Sequence, residues 1–146
     1  MENRPWIKYL VYLLLILAFV FLDSYVMKEQ AIYRHQTFNI GLAYIVVSMI
    51  IKIAIGLLMG LEYITNEIKK EGKWKINIYK VVLIVIRSLY FSIVLFLYFI
   101  PNELLINVLM KPNFIIFLGQ SQHTSIFQIL LGYFLITSFY KQTAER

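Results

Sequence analysis

Apolar residues in this chain gather into long blocks instead of recurring at the spacing of half-buried helices or strands. Four blocks stand out, at about 6–22, 40–61, 78–100 and 120–140. A helix rises 1.5 Å per residue, so about 20 residues cross a hydrocarbon layer of ~30 Å. Each block is therefore predicted to be a transmembrane helix. The first is close to the short limit. The last is most apolar from Ile126 onward and recruits Ser121 to Ser125 to complete its span. Between the first two blocks, Asp23 to Thr37 is expected to be a polar loop. Between the last two, Glu103, Asn107 and Lys111 recur at intervals of four opposite Leu104, Leu105, Val108 and Leu109. That pattern predicts an amphipathic interfacial helix over 102–111, started by Pro101 and stopped by Pro112. The apolar stretch 114–119 is too short to span.

Composition agrees with the blocks. Of the 146 residues, 60% are hydrophobic and only 15% charged, against roughly 25% charged in soluble domains. There is no Cys, which excludes disulfides, thiol catalysis and thiolate metal sites. The net charge of +6 raises the thought of nucleic acid, but its distribution follows membrane orientation. Arg4 and Lys8 flank the first block; Lys69, Lys70, Lys73, Lys75 and Lys80 follow the second; Lys141 and Arg146 follow the fourth. The opposite side carries only Lys28, Arg34 and Lys111. By the positive-inside rule both termini and the middle loop are cytoplasmic. The first block lacks a small-x-small cleavage pattern and is read as a retained helix. The chain thus reads as a single all-α domain, 1–146, with four transmembrane helices. Abundant Ile, Lys, Tyr and Phe without Cys suits a bacterial plasma membrane.

Two cations lie inside the blocks. Lys52 is ten residues from Glu62, about 15 Å along a helix and near mid-membrane. Arg87 is seven residues, about 10 Å, from Lys80. Neither block holds an Asp or Glu, and an isolated charge there costs about 2.5–3.5 kcal/mol on insertion scales. One reading is that both side chains snorkel to the headgroups. The other is a buried cationic site for an anion, a lipid phosphate or an acid on another chain, with Ser48, Ser88, Tyr90 and Gln128 supplying hydrogen bonds. At 100° per residue Lys80, Arg87 and Val94 align, and if both Lys52 and Arg87 face the bundle, two like charges converge in its interior. Gly56 and Gly60 form a GxxxG pattern on the side of Ser48 and Lys52, and Gly132 shares a side with Gln128; these three mark the expected packing faces. The lysine-rich loop 69–80 suffices as a topology signal, and it also suits anionic headgroups.

Metal and cofactor sites are not expected. His35, His123, Asp23, Glu29 and Glu103 are all assigned to the outer side and lack ligand spacing. No paired intramembrane carboxylates, axial His or Ser/His/Asp arrangement suggests an enzyme. The expected function is a non-enzymatic accessory, assembly or immunity-type membrane protein working through helix contacts, with Lys52 and Arg87 paired to acids of another membrane protein or a second copy. The alternative is a small carrier or channel that binds an anion or anionic lipid headgroup at the same cations.

Overall fold

The computed structural model describes residues 5–97 and 121–142. The expected interfacial helix 102–111, the stretch 114–119 and residues 98–100 of the third block lie outside them. Helices α1 (Pro5–Thr37) and α2 (Leu42–Lys69) form an antiparallel hairpin. Strand β1 (Lys73–Ile76) follows, then helix α3 (Ile78–Lys80), a π-helical segment (Val81–Val85) and helix α4 (Ile86–Leu97), which run on without a break. Helix α5 (Ser121–Thr137) leads into strand β2 (Phe139–Gln142). The described chain is mostly helical, and α1 and α2 are each long and apolar enough to cross a membrane.

Three expectations change. The polar loop expected over 23–37 is helical. Between Asp23 and Thr37 there is neither Gly nor Pro, and side chains such as Met, Lys, Glu, Gln and Ala favour helix, so nothing stops α1 at its last apolar residue. It ends at Phe38, whose left-handed backbone (φ 56°) lets its N–H donate to Arg34 O at 3.0 Å, closing the helix in the manner usually left to Gly. Secondly, the class is not purely α. Lys73-Trp-Lys-Ile pairs antiparallel with Phe139-Tyr-Lys-Gln, Trp74 opposite Lys141 and Ile76 opposite Phe139. Thirdly, the last helix stops at Thr137, short of the expected 140. The Asn77 N–H donates to Ser138 O at 2.8 Å and ties the two strand ends together.

The helices pack in the order α1, α2, α5, α4, each chiefly on its neighbours. Burial is inverted relative to a soluble domain. Among the described residues the buried apolar side chains are Ile51, Ile55 and Leu131, whereas Ser48, Ser88, Ser92, Thr124, Gln128, Thr137 and Ser138 are buried polar ones. Large apolar groups such as Leu14, Phe21, Ile50, Leu83 and Ile126 stand exposed. Small and polar residues inside with hydrocarbon outside is the arrangement of helices packed in lipid, where apolar burial supplies no drive and close backbone approach does. Helices α2 and α5 approach each other closely. A methyl group built on Gly56 would overlap the Ile129 carbonyl oxygen, and one on Gly132 the Ile53 carbonyl oxygen. Gly60 faces the Ile136 side chain one turn further along.

Candidate functional site

Helical spacing puts Ser48 and Lys52, four residues apart, on one face of α2. The unbroken length of α1 brings Asp23 against them. Lys52 Nζ lies 3.0 Å from Asp23 Oδ1 and also donates to Ser48 Oγ. Ser48 Oγ in turn donates to Asp23 Oδ1 at 2.5 Å. The Lys52 and Asp23 side chains are 13% and 19% exposed, so this is a mostly buried ion pair with a hydroxyl bridging its two halves. The chain itself supplies the counter-charge that its apolar blocks lack. The hydroxyl of Ser48 both accepts and donates within the cluster, so its hydrogen-bonding capacity is directed to holding the pair.

Flanking contacts set the hairpin register. Towards one end Tyr9 OH donates to Glu62 Oε1 at 2.9 Å, and Lys8 Nζ lies 3.5 Å from the same oxygen. Towards the other end the rings of Tyr33 and Tyr44 sit 5.8 Å apart. Lys52 is ten residues from Glu62 and eight from Tyr44, about 15 and 12 Å along α2, so the ion pair occupies the middle of the hairpin. The assignment of Asp23 to an outer loop is corrected accordingly. Its signal in the sequence was the lack of any helix breaker before Gly41, which permits α1 to carry Asp23 past Lys52.

Arg87 is placed elsewhere. It is exposed on α4 beside exposed Leu83, Ile86 and Leu89, and among the described residues no carboxylate forms an ion pair with it. Lys52 faces α1 whereas α4 packs mainly on α5, so the two cations are not brought together. The expected alignment of Lys80 with Arg87 fails for a local reason. The π segment between them adds a residue to one turn, and that rotates everything beyond it by roughly 100°. Lys80 turns inward, donating to Thr137 O at 3.3 Å with its ammonium 5.6 Å from the Tyr63 ring centre.

The remaining expected site residues divide between these elements. Ser88 and Gln128 are buried, on α4 and α5 respectively, and Ser92 Oγ donates to Ser88 O at 2.6 Å. Tyr90 is half-buried, with its ring 5.4 Å from Phe91, which stacks on Phe127 at 4.5 Å. Ser48 alone joins Lys52. No group of three His, Asp or Glu suited to a metal occurs among the described residues.

A second polar centre forms where α2, β1 and β2 meet. Glu67 is buried at the end of α2, beyond the apolar block that ends at 61. It accepts from the Lys141 backbone N–H at 2.9 Å and from Lys70 Nζ. Those bonds, the backbone one foremost, hold its carboxyl below the usual carboxylate range despite its burial. Lys141 Nζ donates to the Ile68 and Lys70 carbonyl oxygens at 2.8 and 2.6 Å, capping α2, and lies 5.3 Å from the Trp74 ring centre.

Searches against protein families, curated proteins and solved structures find no match.

Proposed function

We propose that this chain is a multi-pass protein of a cell membrane with four spans and both termini in the cytoplasm, acting without catalysis as an accessory, assembly or immunity-type component. The observation that carries this reading is the split fate of its two intramembrane cations. Lys52 is neutralised from within by Asp23, while Arg87 stands among exposed apolar side chains on α4. A guanidinium on a lipid-facing helix is stabilised by an acid on a neighbouring chain or by a lipid phosphate. The inverted burial supports the same conclusion, since helices with polar interiors and apolar exteriors are suited to pack in lipid and against other helices. The positive-inside count supports the orientation.

The test is charge removal at Arg87 with the full chain extracted in mild detergent. Arg87→Met should abolish co-purification of a second membrane chain, and Arg87→Lys should retain part of it. Unchanged co-purification by Arg87→Met would defeat this reading. A small carrier is the second reading, favoured by the buried Asp23–Lys52 pair midway along the hairpin, because intramembrane ionisable pairs often mark ion pathways. It predicts ion flux in reconstituted vesicles that Asp23→Asn eliminates; the accessory reading predicts none.

A further inference from the structure

At the sheet end of the bundle the lysines are arranged around a space. A cavity of about 290 Å³ opens between Tyr63, Glu67, Lys70, Asn77, Lys80 and Tyr140, with Lys141 also on its wall. Three ammonium groups against one carboxylate leave two positive charges in excess. The single carboxylate is already engaged by Lys70 and the Lys141 backbone, so it does not cancel the remaining cations. Lys141 is held by the end of α2, and Lys80 is braced between Thr137 O and the Tyr63 ring. Asn77 uses its side-chain oxygen to accept from Lys80 N at 3.1 Å. The two tyrosine hydroxyls and the Asn77 amide are hydrogen-bond donors of the kind a phosphate oxygen accepts.

The surroundings indicate where such a phosphate comes from. Trp74, Ile76, Ile78, Tyr79 and Phe139 are exposed on the same end of the molecule, and aromatic and apolar groups beside lysines are the composition of a membrane–water interface. We propose that this cavity is a binding site for an anionic phosphate group, that of a lipid headgroup in the adjoining leaflet. Lys80 is the contacting cation, Lys70 borders the site and holds Glu67 in its ion pair so that the carboxylate does not repel the phosphate, and Lys141 positions the wall by capping α2. The site rests on the reading of the chain as membrane-embedded, and it is independent of Arg87 and of the Asp23–Lys52 pair.

The experiment uses the full chain in nanodiscs of phosphatidylcholine doped with phosphatidylglycerol, with retained lipid read by native mass spectrometry. Lys80→Gln and Lys70→Gln should each weaken phosphatidylglycerol retention about five-fold, the worth of one lysine near an anionic surface, while Arg34→Gln in the last turn of α1 leaves it unchanged. Inorganic phosphate added to the sample should not displace the lipid; displacement would support the phosphate site but assign it to a free anion. Equal retention by all three variants and the parent would overturn the proposal. Where Lys80→Gln loses helical circular dichroism, Lys80→Arg should restore both fold and retention, and Lys70→Gln, whose half-exposed head is outside the packed helices, carries the comparison. A chain that fails to enter nanodiscs at all would instead sink the membrane reading.

Discussion

The decisive residue is Asp23, because it changes what Lys52 means. An uncompensated ammonium in an apolar block invites a ligand, whereas an ammonium 3.0 Å from a carboxylate and bridged by Ser48 is a structural link between α1 and α2. Breaking such a pair by removing one partner costs about 3–5 kcal/mol, since the other charge stays buried alone, whereas replacing both charges together is often close to neutral. Lys52→Met and Asp23→Asn should therefore each lower the thermal stability of the purified chain in detergent by about that much. The double variant Asp23→Asn/Lys52→Met should recover most of the loss. Additive losses in that cycle would show that the two residues do not act as a pair. Lys52 was conspicuous in the sequence as a charge among apolar neighbours. Its partner was not, because Asp23 lies 29 positions away just past an apolar run and looks like the first residue of a loop. Arg87 was equally conspicuous, but the direction it faces depends on a π turn that residue spacing does not announce.

At the level of elements, periodicity located the helices but not their ends. Block edges mark where apolar side chains give way to polar ones, and a helix ends only where its backbone loses support. α1 therefore runs on to Thr37. The reverse holds for the last block, where α5 yields to β2 because Phe139 to Gln142 has a partner strand in Lys73 to Ile76. Glu67 joins this small sheet to α2, and its depressed carboxyl makes the joint sensitive to acid. A folded-state pKa below the unfolded one means that the unfolded chain binds more protons between the two. The stabilisation is thus complete above the ordinary carboxylate range and is lost as pH falls through it towards the folded-state value. The protection factor of the Lys141 amide, its exchange rate taken relative to that of an unstructured amide at the same pH, should fall over that interval in the parent chain. In Glu67→Gln it should be smaller at neutral pH and no longer fall on acidification. A Lys141 amide whose protection ignores both pH and this substitution would show that Glu67 does not hold β2.

For the whole molecule, the distribution of burial bears on environment more directly than any single span. Apolar side chains cover the outside, and serines, threonines, Gln128 and the close contact of Gly56 with Gly132 fill the inside. The lack of Cys in the chain makes orientation simple to measure with single introduced thiols. In intact cells a membrane-impermeant maleimide should label His35→Cys, in the last turn of α1, and spare Glu71→Cys, and lysis should expose the latter. The opposite labelling would invert the topology and place the basic cavity on the outer surface.

Amino-acid order by itself determined that this chain is mostly helical with long apolar helices, that its positive charge clusters in one loop and the flanks, and that Gly56, Gly60 and Gly132 could let helices approach. Those properties follow from local composition and from a fixed rise per residue. Which charges meet, which way Arg87 faces, and how Lys70, Lys80 and Lys141 come to surround one cavity were decided only by tertiary structure. Each depends on the relative rotation and offset of helices far apart in sequence, and a single added residue in one turn is enough to change them.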